Sequence, residues 1–259
     1  MRVTILGAGP SSGVPRVGNS WGQCDPNEPR NRRRRASILV EIGDVSILFD
    51  TSPDCRAQLL DANVQRLDAV VYTHAHADHS HGIDELRWIN WSMKAPLPVY
   101  GDADTLKTLS ERFEYAFTPL RPDSDGQPAR YYKPVLVPHE IDGDFEIAGV
   151  RLQPFEQDHG FSETLGFRIG NFAYSTDVVR LDEAAFAALE GIDTWIVDAF
   201  HIRPHPTHSH VDLTLQWIER VKPRHTVLCH MGTHLDYQTL LDELPDGVEP
   251  GYDGMVLEV

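Results

Sequence analysis

Short apolar runs broken by Gly-, Pro- and Asp-rich segments dominate the chain. Residues 3–6, 38–42, 45–49 and 69–72 read as strands, and Gly43-Asp44 joins the second and third as a hairpin. The second half repeats this logic without repeating the sequence, with strands at 145–147, 150–155, 165–169, 172–175, 194–197 and 226–229. Helical spacing covers 53–62, 104–116, 182–189 and 211–221. Asp182 stands as an N-cap, and Leu213, Trp217 and Val221 share one face of the last helix. A further helix is expected after Gly82. Residues 15–37, 93–98 and 119–134 read as loops or irregular stretches, being rich in Pro, Gly and polar residues. With no linker, repeat or low-complexity segment, the pattern predicts one α/β domain over 1–259. Two sheets pack face to face in it, with helices outside.

The apolar run at 69–72 leads into Thr73-His74-Ala75-His76-Ala77-Asp78-His79, which holds four potential metal ligands in six residues. Neutral imidazole and carboxylate suit zinc or another first-row divalent ion. On an extended strand end, His74 and His76 project to the same side and reach one ion. Asp78 and His79, where the chain turns, reach a neighbouring position. A His-rich turn that is only polar punctuation rarely needs three imidazoles and a carboxylate at this spacing. The same device recurs, since apolar strands end in His159, Asp177 and His230. Strand ends lie at one rim of a sandwich, so these residues are expected to converge.

The series His74-x-His76-x-Asp78-His79, His159, Asp177, His230 resembles the dinuclear hydrolases of the metallo-β-lactamase superfamily over nearly the whole chain. The resemblance implies an αββα sandwich with two mixed sheets and two divalent ions, Zn or Mn, with Fe also open. One ion would take His74, His76 and His159, the other Asp78, His79 and His230, with Asp177 bridging. A bridging Asp is the phosphodiesterase pattern; the β-lactamases themselves commonly carry a Cys there. A narrower similarity lies in residues 6–15, Asn31-Arg32-Arg33, Asp50-Thr51-Ser52-Pro53-Asp54 and Pro204-His205-Pro206-Thr207-His208. These resemble PhnP-type phosphodiesterases, which open a ribose 1,2-cyclic phosphate. By that resemblance His208 protonates the leaving group, His201, His205 and His210 are rim residues, and Asp78 joins His208 among the catalytic groups. Hydrolysis of a small cyclic phosphate or nucleotide-like ester by a metal-bridging hydroxide is the function implied, and a homodimer is implied too. The alternatives are a tRNA 3′-processing nuclease, or a non-hydrolytic metal-binding protein of cofactor biosynthesis.

Composition bears on these choices. A net charge of −16, from 23 basic and 39 acidic residues, disfavours nucleic acid and anionic membranes as partners. The run Arg30 to Arg35 is either a solvated face or a source of guanidiniums for core carboxylates or a substrate phosphate. The Gly7 to Gly13 loop lacks a phosphate-loop motif and reads equally well as a plain turn. Cys24, Cys55 and Cys229 form no CxxC pair, and no apolar run is long enough to span a bilayer, so a cytoplasmic location is expected. One departure stands out. PhnP-type proteins often hold a structural zinc through Cys-x-Cys-x-x-Cys, and here Asn19 and Trp21 stand before Cys24, with His234 the only further donor. At most two metals per chain are therefore expected.

Overall fold

The structure, a computed structural model, describes residues 1–120 and 131–259. Part of the stretch 119–134, read as irregular, therefore lies outside the described residues. The first sheet contains β1 (Arg2–Gly7), β2 (Ser37–Ile42), β3 (Val45–Phe49), β4 (Ala69–Val71), β5 (Leu97–Gly101), β6 (Leu136–Glu140) and the late strand β14 (Val256–Glu258). Its order is β14-β1-β2-β3-β4-β5-β6. The second contains β7 (Phe145–Ile147), β8 (Val150–Asp158), β9 (Glu163–Ile169), β10 (Phe172–Ser175), β11 (Thr194–Asp198), β12 (His225–Cys229) and β13 (Val248–Pro250). Its order is β13-β12-β11-β10-β9-β8-β7. Each sheet is antiparallel on one side and parallel on the other, the change falling at β3 in the first and β10 in the second.

Alternation along the strands divides the apolar residues between two cores. Ile38, Val40, Ile47, Phe49, Ala69 and Val71 face the second sheet, where Phe49 meets Phe167 edge-on with centroids 5.3 Å apart. Leu39, Leu48 and Val70, one position out of phase, face outward. They are covered by helices α1 (Cys55–Asp61), α3 (Leu86–Met93) and α4 (Ala103–Arg112) through Leu59, Ile89 and Leu109. The short helices α2 (Ala77–Ser80) and α5 (Glu114–Phe117) flank them. On the second sheet α6 (Glu183–Leu189), α7 (Val211–Val221) and α8 (Tyr237–Glu243) supply Leu189, Trp217 and Leu240. The expected αββα sandwich is what the chain forms.

The differences from expectation are local. Residues 97–98, read as loop, open β5, which pairs in parallel with both β4 and β6. Pro98 is tolerated there because tertiary pairing of Val99 and Tyr100 outweighs one missing donor. The single helix expected over 104–116 is two, interrupted at Phe113, whose φ of −126° leaves the helical region. Strands β6, β13 and β14 and helix α8 were not visible in the apolar pattern. The three strands are edge or near-edge elements of three to five residues, too short for a periodicity. Asp182 caps α6 as expected, its Oδ1 accepting from Ala185 N at 2.7 Å.

Candidate metal centre

Four of the proposed ligands follow strand ends, and the other three lie at or on the short helix after β4. His74 follows β4, and His76, Asp78 and His79 lie at or within the start of α2. His159 follows β8, Asp177 follows β10, and His230 follows β12. The backbone turns sharply at these ends: Asp50, Asp177 and His230 have φ of 63°, 51° and 57°. A left-handed conformation in a non-glycine residue costs on the order of 1 kcal/mol, which the packed sandwich must hold against.

The side chains converge in two groups, each with its donor atoms within 4.8 Å of one another. The first holds His74, His76, His159 and Asp177; the second holds Asp78, His79, Asp177 and His230. Asp177 belongs to both and divides its oxygens between them. Its Oδ2 lies 3.9 Å from His74 Nε2 and 3.7 Å from His159 Nε2, while its Oδ1 lies 3.1 Å from His79 Nε2 and 3.4 Å from His230 Nε2. Asp78 Oδ2 completes the second group, 3.4 Å from His79 Nε2 and 3.7 Å from His230 Nε2.

Hydrogen bonds behind the imidazoles leave their Nε2 atoms free to face inward. His79 Nδ1 donates to Asp50 Oδ2 at 2.7 Å, and His159 Nδ1 donates to the Thr207 carbonyl at 2.6 Å. Asp50 is itself held by Thr73 N at 2.8 Å and Thr73 Oγ1 at 2.9 Å. The Nε2 atoms of His74, His79 and His230 are buried and without a hydrogen-bond partner among the described residues. Orphaned buried imidazole nitrogens around shared carboxylates are costly unless a cation takes them. The donor set therefore fits divalent metal.

The charges point the same way. Burial opposes ionisation of Asp177, yet His230 and His79 hold it well below the usual carboxylate range. Asp78 behaves alike beside His79 and His230. Burial and the neighbouring His79 keep His74 well below an ordinary histidine, and burial lowers His159.

His208 stands over the pair. Its Nδ1 donates to Asp198 Oδ2 at 2.9 Å, and its Nε2 lies 3.9 Å from Asp177 Oδ2. Its ring stacks on His230 with centroids 4.7 Å apart. Burial resists its charge, but Asp198 outweighs burial and lifts His208 to about 9. Among its neighbours, His201 lies against His234 with ring centroids 4.2 Å apart, and His205 hydrogen-bonds Thr207.

Asp50 and Asp198 were passed over as functional residues in the sequence. The signal was present, since both end an apolar strand as the ligands do, but neither had a second donor beside it. Four of the five arginines between 30 and 35 are held by acceptors, and Arg32 lies over the Trp21 ring. Arg30 pairs with Glu28, Arg34 with Asp61 and Arg35 with Asp54, while Arg33, 2% exposed, donates to the Leu235 carbonyl at 2.8 Å. Three amides of the Gly7–Gly13 loop are taken, Ala8 N by Asp253, Gly9 N by the Arg34 carbonyl and Gly13 N by the Pro10 carbonyl. Both segments are largely tied into the scaffold.

Comparison with known proteins agrees with this geometry. A β-lactamase superfamily domain matches residues 46–231, which spans strands β3 to β12 and every clustered ligand. The chain belongs to the metallo-β-lactamase superfamily. A solved structure described as a new diphosphatase from the PhnP family shares 32% identity with a TM-score of 0.88, covering 100% of this chain and 97% of that one. The resemblance to PhnP-type proteins read in the sequence is borne out there. Among curated proteins, an octanoyltransferase from Porphyromonas gingivalis is 33% identical over 98% of this chain and 51% of its own length. A ribonuclease Z from Metallosphaera sedula is 25% identical over 64% of this chain and 52% of its own. The chain thus spans about half the length of the curated relatives it matches. Among the described residues, no helix of this superfamily member is long and apolar enough to cross a membrane.

Proposed function

We propose that this protein is a dinuclear metal-dependent phosphodiesterase acting on a small cyclic phosphate, such as a ribose 1,2-cyclic phosphate, or on a nucleotide-like ester. The observation that carries this reading is the division of Asp177, one oxygen toward each donor group. His74, His76 and His159 would hold one ion, Asp78, His79 and His230 the other, with Asp177 between them and Zn, Mn or Fe all compatible with the donors. Such a pair of divalent ions would supply an activated water and charge stabilisation for the reacting phosphoryl oxygens.

The chain's own residues do the rest. Asp50 and Thr207 fix the ring orientation of His79 and His159, so the ligands need no rearrangement. His208, charged and oriented by Asp198, holds a proton at Nε2 and can give it to the departing alcohol. Asp78 acts through the second donor group rather than as a separate acid or base.

Two of these relatives bear names that imply other chemistry. An acyl-carrying thiol would be required for one common route of octanoyl transfer, and Cys24, Cys55 and Cys229 are all buried. Burial pushes the Cys55 and Cys229 thiols up to about 12, so no exposed thiolate is on offer. A tRNA nuclease needs a basic surface, which a net charge of −16 does not favour.

Metal analysis followed by a diester panel tests the reading. The panel would hold bis(p-nitrophenyl) phosphate, ribose 1,2-cyclic phosphate, 2′,3′-cyclic nucleotides, a diphosphate diester and a tRNA precursor. Asp177→Ala should lose bound metal and phosphodiesterase activity together. Full activity in that variant would refute the dinuclear assignment.

A further inference from the structure

A cleft of about 840 Å³ opens beside the first donor group, between the N-terminus of α4 and the β8–β9 turn. Its floor is formed in part by His74, 4% exposed with an unpartnered Nε2, and by His76. The walls carry six carboxylates, from Asp102, Asp104, Glu156, Asp158, Glu163 and Asp182. Against them stand two guanidiniums: Arg180 pairs with Asp158 at 3.2 Å, and Arg112 donates to the Ala75 carbonyl, a contact that orients its charge without cancelling it.

The carboxylates differ in what they already do. Asp102 and Asp182 cap helices through Thr105 N and Ala185 N, and Asp158 accepts from Gly160 N. Asp104, Glu156 and Glu163 hold no hydrogen bond or ion pair among the described residues, so their charge is available to whatever enters. Phe161, also lining the cleft, is 91% exposed, an unusual position for an aromatic ring with no partner of its own. A ring face beside uncompensated carboxylates suits a cation, above all an ammonium group.

We infer that this cleft selects small phosphodiesters, open or cyclic, whose organic part carries a positive charge, and rejects those carrying a second negative group. The inference rests on the phosphodiesterase reading and deepens it. The phosphoryl group sits over the two donor groups, where positive charge belongs, and the organic part extends over His74 and His76 into the acidic cleft. A unit charge about 7 Å from one carboxylate in a water-filled cleft changes affinity roughly two- to threefold. Asp102, Asp104, Glu156, Glu163 and Asp182, set against Arg112, leave four net negative charges, which together give about tenfold after screening at low salt.

The test uses the metal-loaded full chain and three p-nitrophenyl phosphodiesters whose second alcohol is choline, ethanol or 3-hydroxypropanoate. At low salt, kcat/KM should fall about tenfold from the choline to the ethyl ester, and fall again to the carboxylate. Half-molar NaCl should shrink both steps, as should Asp104→Asn, Glu156→Gln and Glu163→Gln combined. Calorimetric binding of phosphocholine against ethyl phosphate reads the cleft without turnover, and phosphocholine should bind more tightly. Equal kcat/KM across the three esters, or equal affinity for the two phosphates, overturns the cleft's selectivity and leaves the phosphodiesterase reading standing. Absence of hydrolysis on all three esters refutes that reading instead, and the binding measurement then decides the cleft alone.

Discussion

Replacing the acceptor behind His208 separates proton donation from metal holding. Asp198 is fully buried, and its Oδ2 takes the His208 Nδ1 proton at 2.9 Å. Asp198→Asn preserves size but removes the negative charge opposite the ring. A hydrogen bond to a charged group contributes about 1.5–3 kcal/mol, so the imidazolium should lose that much and turnover about 10- to 150-fold. His208→Ala removes the donor altogether and should cost about 10²–10⁴, the usual range for a positioned general acid. Both losses depend on the leaving group. An alkoxide needs its proton; p-nitrophenolate hardly does. The assay is a series of methyl phosphodiesters running from alkyl to nitrophenyl leaving groups, with metal content measured alongside. The variants should keep their metal, lose most on the alkyl esters and little on p-nitrophenyl. A uniform loss across the series would refute proton donation by His208 and leave only a role in shaping the site.

Metal stoichiometry should not exceed two per chain, and chelation should abolish activity before it disturbs residues 19–36, since Arg33 and Asn31 tie that loop to Leu235 and Asp236 directly. A ratio near three, with Cys24 shielded from thiol reagents only while metal is bound, would overturn this. Asp236 caps α8 through Thr239 N and also accepts from Asp25 N and Asn31 Nδ2. Asp236→Ala should destabilise the fold by about 0.5–2 kcal/mol in denaturant titration, with faster amide exchange at Thr239. Although burial opposes its charge, those hydrogen bonds depress Asp236 to about 2, below its unfolded value. Its stabilisation is therefore full above the unfolded pKa of about 4 and is lost as pH falls from there through about 2, a component the variant should lack.

The candidate donors were legible in the sequence because His74, His159, Asp177 and His230 each follow an apolar strand, and His76, Asp78 and His79 stand in one motif with His74. That rule also marks Asp50 and Asp198, whose work became visible only when His79 and His208 were seen to lean on them. Helix α7 was legible from its amphipathic period, and α6 from its Asp182 cap. Strand β5 was not, because Pro96 and Pro98 carry the local signal while parallel neighbours distant in sequence decide the outcome. The arginine run shows the reverse. Six consecutive residues rich in positive charge suggested solvent, core carboxylates or a phosphate; carboxylates at Glu28, Asp54 and Asp61 take three of them, and the Leu235 carbonyl, about 200 residues away, takes Arg33, a pairing that could not be read locally.

The two donor groups have an implication for the order of assembly. Each draws two residues from the first half of the chain and two from the second: His74 and His76 with His159 and Asp177, Asp78 and His79 with Asp177 and His230. A nascent chain that has emerged only through β6 carries the entire His74–His79 motif, yet it can close neither group. Asp177 arrives a hundred residues later, and His230 later still. An ion held by all four donors of either group would have to wait until both sheets have docked, and would then act as a latch across the seam between them.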